Sequence, residues 1–158
     1  MQSQWSREIR RRAAEYWTEQ RCAHLLGKRM PILHPVSDAP LWRAMGLMHA
    51  DGSIPAENMR KYWQICHMLK LLRPLLDDLV QLQSPMRIVD AGCGRSYLTL
   101  LIAWYARQIL DVPIQMLGID CNEAIIGQCR RRVEMIDLAD AVRFEVAELS
   151  VDGLGCAW

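Results

Sequence analysis

The chain has 158 residues, 51% of them hydrophobic and 23% charged, and a formal net charge of +1. That length supports one ordinary domain with a real core, and that apolar content excludes a disordered chain. A charge so close to zero selects no class of partner, although residues 1–30 set Arg7, Arg10, Arg11, Arg12, Arg21, Lys28 and Arg29 against only Glu8, Glu15 and Glu19.

The first part of the chain, to about Ser84, reads as helical. Trp5, Ile9, Ala13 and Trp17 recur every four residues with the arginines mostly elsewhere, as an amphipathic helix requires. Pro31, Pro35 and Pro40, with Ser37 and Asp38 between them, break the pattern into a loop, and Asp51-Gly52-Ser53 with Pro55 marks a second turn. A long helix begins near Ala56, with Tyr62, Ile65, Leu69 and Leu72 on one face. Pro74 lies inside it and should kink it or start a new helix, having no N–H to donate. The apolar face resumes at Leu75, Leu76, Leu79 and Leu82 and ends at the Ser84-Pro85 break.

The second part alternates strand and helix. Strands are expected at Met86–Ala91, Ile114–Ile119 and Ala141–Val146, and helices at Tyr97–Leu110 and Asn122–Ile136. Short loops between them imply right-handed crossovers and a parallel sheet covered by helices. No apolar run approaches the roughly 20 residues that span a bilayer, so no membrane contact is expected. The N-terminal residues lack a short basic region followed by an apolar core, so no secretory signal is expected. The six cysteines (Cys22, Cys66, Cys93, Cys121, Cys129 and Cys156) are widely spaced and contain no C-x-x-C pair. They read as reduced thiols of a cytoplasmic protein rather than a disulfide framework. His24, His34, His49 and His67 lack metal-ligand spacing, and no metal site is expected.

The chemistry is concentrated in Ile88-Val89-Asp90-Ala91-Gly92-Cys93-Gly94-Arg95-Ser96-Tyr97-Leu98, an apolar strand running through D-x-G-x-G into a helix. Glycines there let a ligand approach the backbone, and the helix start supplies N–H donors to an anionic group. A dinucleotide site would show a third glycine where Tyr97 stands, and Asp90 is a poor neighbour for a pyrophosphate but a good one for a cation. These features favour S-adenosylmethionine, which carries an ammonium and a sulfonium and no phosphate, over NAD. Asp120 closes the second strand 30 residues after Asp90, where a carboxylate can accept from both hydroxyls of a ribose. Glu148 follows the third strand, where it could accept from an adenine amino group.

The segments VDAGCGRSYLTL, LGIDCN and VRFEVAEL resemble the first three motifs of class I S-adenosylmethionine-dependent methyltransferases, over roughly Met86 to Leu149. The stretch Asn58–Ile65 is similar to a lead-in of some bacterial members. The resemblance implies an α/β, Rossmann-like parallel sheet of strand order 3-2-1 at residues 85–158, with an N-terminal helical extension at residues 1–84. It implies that Gly92 and Gly94 line the methionine moiety, Asp90 holds its amino group, Asp120 binds the ribose and Glu148 lies near the adenine. Cys93 belongs to this loop as a small residue that fits the turn, not as a nucleophile. Glu148 departs from the commoner Asp of that motif.

Plainer roles stand beside these. Asp120 could cap the helix that follows. Arg10-Arg11-Arg12 could be a solvated helix face, although Arg7, Arg10, Arg11 and Arg12 also form a basic helix of the kind that contacts RNA. Members of the resembled family continue with four more strands, and the fourth usually carries residues facing the methyl acceptor. Leu154–Trp158 ends this chain just past the third strand. The expectation is therefore a fragment or truncated copy with an apolar edge at the first strand, prone to self-association. No catalytic base and no acceptor can be named. The alternatives are a non-catalytic cofactor-binding module and part of an NAD-dependent oxidoreductase.

Overall fold

A computed structural model describes residues 3–27 and 29–148. Lys28, Cys156 and the closing segment Leu154–Trp158 lie outside the described residues. The chain divides into two compact units, one within Met1–Asp78 together with Met135–Asp137, the other within Leu79–Glu134 together with Leu138–Trp158.

In the first unit, α1 (Gln4–Tyr16) is capped by the Ser3 hydroxyl, which accepts the Ser6 N–H, and buries Ile9 and Ala13. Trp17, fourth in the expected stripe, ends the helix. It is buried and donates from Nε1 to the Gly52 carbonyl at 2.9 Å. The turn at Asp51–Ser53 is therefore a packing surface for α1: a Cβ on Gly52 would lie 2.5 Å from the Ala13 Cα. The arginines of α1 are engaged locally, Arg11 with Glu8 and Glu15, Arg12 with Glu8 and the Ala50 carbonyl, and Arg10 with the Ser37 carbonyl.

Two short helices were not legible in the pattern, α2 (Glu19–Leu26) and α3 (Ala39–Ala44). Thr18 caps α2 through Arg21 N, and Pro40 sits in the first turn of α3, where its missing N–H costs nothing. The expected proline loop thus turns into a helix at its third proline.

Helix α4 (Ala56–Leu82) runs through Pro74 undivided. Pro74 and Lys70, whose carbonyl loses its partner there, are both exposed, so water can serve that carbonyl. The buried face of α4 includes Tyr62, Ile65 and Leu69, and Tyr62 packs on Trp42 with ring centroids 4.7 Å apart. The Tyr62 hydroxyl donates to the Leu33 carbonyl at 2.9 Å, and burial holds its pKa well above the usual phenol range.

The second unit is built on β1 (Met86–Ala91), β2 (Ile114–Asp120) and β3 (Val142–Val146), all parallel, with β2 between the others. This is the expected order 3-2-1 of a Rossmann-like sheet. Asp90 pairs with Gly118 across β1 and β2, and Asp120 pairs with Val146 across β2 and β3, so the strands end together. Helix α5 (Tyr97–Trp104) and α6 (Glu123–Met135) supply the crossovers. The helix expected to continue to Leu110 instead widens after Trp104 into a π-helical turn, Tyr105–Ile109, in which Leu110 N bonds to the Tyr105 carbonyl. Gly118 has a packing reason, since a Cβ there would lie 2.5 Å from the buried Phe144 ring. No described helix is long and apolar enough to cross a membrane.

Candidate functional site

The end of β2 organises the carboxyl edge of the sheet. The Ile119 carbonyl accepts the N–H groups of both Gly92 (2.8 Å) and Cys93 (2.9 Å), which folds the loop after β1 back over β2. The Asp120 carboxylate takes the next donor of that loop, Gly94 N, on Oδ2 at 2.9 Å. On the other side, the Asp120 carbonyl accepts Ala147 N at 3.1 Å and holds the segment after β3. One strand end thus carries both flanking loops.

The glycine loop has the backbone that its residues predict. Gly92 and Gly94 have φ of 74° and 50°, the left-handed region that glycine enters without steric cost. Among the described residues nothing lies within 4 Å of a Cβ built on either, which leaves open space beside the loop. Ser96 also adopts a left-handed conformation, at φ 57°, and starts α5. Its hydroxyl is buried and has no hydrogen-bond partner among the described residues.

Asp90, at the end of β1, is half-buried, and its Oδ2 accepts from the Thr99 hydroxyl at 2.6 Å. Thr99 is fully buried in α5 and fixes the carboxylate. It escaped the sequence reading, although it is the sole aliphatic hydroxyl in the apolar stretch Tyr97–Trp104, and that isolation was the available signal. Cys93 lies beside Gly118, its Sγ 3.2 Å from the position of a Cβ there. Burial, reinforced by Cys129, Asp90 and Asp120, pushes its thiol up to about 12, so it stays protonated at neutral pH. That is the behaviour of a packing residue, not a nucleophile.

Asp120 also reaches the start of the next helix without being its cap. Its Oδ1 accepts Asn122 N at 2.9 Å, but the cap of α6 is Asn122 itself, whose Oδ1 accepts Ile125 N at 3.1 Å. Tyr97 is half-exposed, with the Arg132 guanidinium 5.9 Å from its ring centroid.

A concavity of about 410 Å³ opens at this edge, lined by Gly92, Asp120, Cys121, Ala147 and Glu148. The structure therefore brings together three of the six expected residues, Gly92, Asp120 and Glu148, from three different strand ends. Gly94 is tied to them through Asp120, whereas Asp90, Gly94 and Cys93 are not part of the lining. Cys121 and Ala147 line it as well and were not anticipated. An acidic pair facing an open glycine loop suits a ligand rich in hydroxyl, amino and ammonium donors. The volume is within the range of small-molecule sites.

No curated protein matches the chain. A family model described as a methyltransferase domain matches residues 60–153, well over half of the sequence and all three strands of the sheet. With the parallel sheet, the glycine loop and the acidic strand ends in place, this chain belongs to the methyltransferase-domain family.

Proposed function

We propose that the chain binds S-adenosylmethionine in the concavity bounded by Gly92, Asp120 and Glu148 and transfers its methyl group to an acceptor nucleophile. The observation that carries this reading is the meeting of those three residues on one cavity at the carboxyl edge of a parallel sheet.

The residues present fit that group. The open space beside Gly92 admits the methionine portion against the backbone. Each Asp120 oxygen spends one acceptor position inside the protein and keeps another for a ribose hydroxyl. Glu148 is exposed on the cavity wall, within the set that would meet the adenine amino group. Asp90, fixed by Thr99 and outside that lining, would reach the ammonium through water. In this reading residues 85–158 carry the cofactor half and residues 1–84 are an extension.

When bound, the cofactor would supply an electrophilic methyl on a sulfonium, which the acceptor attacks in line with S-adenosylhomocysteine as the leaving group. The protein's contribution is alignment and exclusion of water. Asp120 and Gly94 hold the loop at a set distance from β2, and no described side chain is assigned as a base. An RNA acceptor reached through Arg7, Arg10, Arg11 and Arg12 receives less support, because Glu8 and Glu15 draw Arg11 and Arg12 into ion pairs.

The test is calorimetric titration of S-adenosylhomocysteine and, separately, NAD, into the chain and its Asp120→Ala variant. Micromolar-range binding of the first, no heat from NAD, and loss in the variant support the reading. Heat from NAD alone would replace it with an oxidoreductase reading. Binding of neither by a folded sample would leave a non-catalytic module.

A further inference from the structure

In the first unit, α4 carries Trp63, His67, Lys70 and Arg73 at successive intervals of four, three and three residues, which places them on one side of the helix. With residues 29–32 they enclose a cavity of about 490 Å³. Four side chains lining it are basic (Arg29, His67, Lys70 and Arg73), and among the described lining residues none is acidic.

Arg29 and Arg73 are held without being neutralised. The Arg29 guanidinium lies over the Trp63 ring, 5.3 Å from its centroid, an attraction that leaves the positive charge in place. Arg73 has Asp77 at 3.7 Å, but both side chains are about half exposed, so water screens the pair and a stronger anion can displace it. Among the described residues, Arg29, His67 and Lys70 have no carboxylate within ion-pair distance. Gathering like charges around one cavity opposes folding, and a bound anion removes that cost. Guanidinium and ammonium groups together are the usual receivers of phosphate. An indole with a cation beside it offers an aromatic surface on which a base can stack and a charge within reach of its phosphate.

We propose that this cavity is a nucleotide site that takes a phosphate between Arg29, Lys70 and Arg73 and a base against the Trp63–Arg29 pair. Its size suits one nucleotide unit. None of its residues belongs to the concavity at the sheet edge, so the proposal stands or falls separately from the cofactor reading.

The experiment titrates fluorescein-labelled hexauridylate with the full chain and follows anisotropy at several salt concentrations. We expect Lys70→Gln/Arg73→Gln to weaken binding about tenfold or more and to reduce the salt slope by about 1. We expect Arg7→Gln/Arg11→Gln, on α1, to change binding by less than about twofold. Competition by uridine monophosphate assigns the site to free nucleotides, and failure to compete with hexauridylate still bound assigns it to a strand; both support the shared chemistry. Equal losses in the two double variants would overturn the proposal. So would absence of binding by a chain with native circular dichroism, or tighter, Lys70- and Arg73-dependent binding to phosphatidylserine vesicles. Heat from S-adenosylhomocysteine should be unchanged in Lys70→Gln/Arg73→Gln, which keeps failure here distinct from failure of the cofactor reading.

Discussion

The Asp120 carboxylate holds the glycine loop in place: its Oδ2 accepts the Gly94 N–H at 2.9 Å, while Oδ1 accepts the N–H of Asn122 at the start of the next helix. A side chain proposed to bind ligand is thus also what keeps the ligand's loop over the sheet. Asp120→Ala should lower stability by about 2 kcal/mol, since two backbone donors lose a charged acceptor, and should abolish measurable binding of S-adenosylhomocysteine. Urea unfolding alongside calorimetry separates the two effects. A variant of unchanged stability would show that the carboxylate does not hold the loop.

Thr99 offers a second check on the same edge. Its hydroxyl donates to Asp90 from a fully buried position, so Thr99→Val leaves that carboxylate without its anchor. A loss of about 1–2 kcal/mol is expected, with weaker cofactor binding, and Thr99→Ser should restore most of both. If valine binds the cofactor as well as threonine does, Asp90 needs no positioning.

Gly118 and Phe144 should be coupled. A methyl group at 118 would sit 2.5 Å from the buried ring, and a ring inside a packed sheet has little room to yield. Gly118→Ala is expected to cost about 2–3 kcal/mol, and less in a Phe144→Leu background. Additive losses in that double-mutant cycle would sink the steric explanation.

Two cysteines near the site should react in opposite ways. Cys121 is exposed on the cavity wall, whereas burial holds the Cys93 thiol at a pKa of about 12. At pH 8, maleimide should label Cys121 well before Cys93, as read by peptide mass spectrometry. The Cys121 adduct should block S-adenosylhomocysteine binding, and prior ligand should slow the labelling. Fast labelling at Cys93 would contradict the placement of that side chain.

Acid should act on α1 through Glu8. Hydrogen bonds from Arg11 and then Arg12 lower its carboxyl from 4.5 to about 2. A folded-state pKa below the unfolded one contributes stability above the ordinary carboxylate range, and that contribution is lost as pH falls towards about 2. The urea midpoints of the native chain and Glu8→Gln should therefore differ at pH 6 and converge by pH 2. High salt should shrink the difference at pH 6, since the pair is solvent-exposed. A gap that stayed constant with pH would rule out the ion pairs as its source.

Much of the second unit was readable before any coordinates, because its signals are local. Met86–Ala91 is a compact run of strand-forming residues and was placed to the residue; the next two strands were placed to within one residue at an end. The positions of Asp90, Gly92, Gly94, Asp120 and Glu148 at the carboxyl ends of the strands are legible because chain order alone puts them there. The first unit was less readable. Helices α2 and α3 are too short to show a period, and Pro40 looks like a breaker although the first turn of a helix tolerates it. Pro74 does not start a new helix, since an exposed helix face lets water replace the lost donor.

Composition and periodicity by themselves determined an α/β chain with a parallel sheet and a glycine loop facing acidic strand ends, since each of those depends on a few neighbouring residues. Only the tertiary structure decided which groups meet across distance. It bonded Thr99 to Asp90, set Gly118 against Phe144, and joined Gly92, Asp120 and Glu148 on one concavity. It also set residues 29–32 against the basic side of α4. Such contacts join residues of different elements, and packing selects them through shape and buried polar partners, neither of which a local pattern encodes.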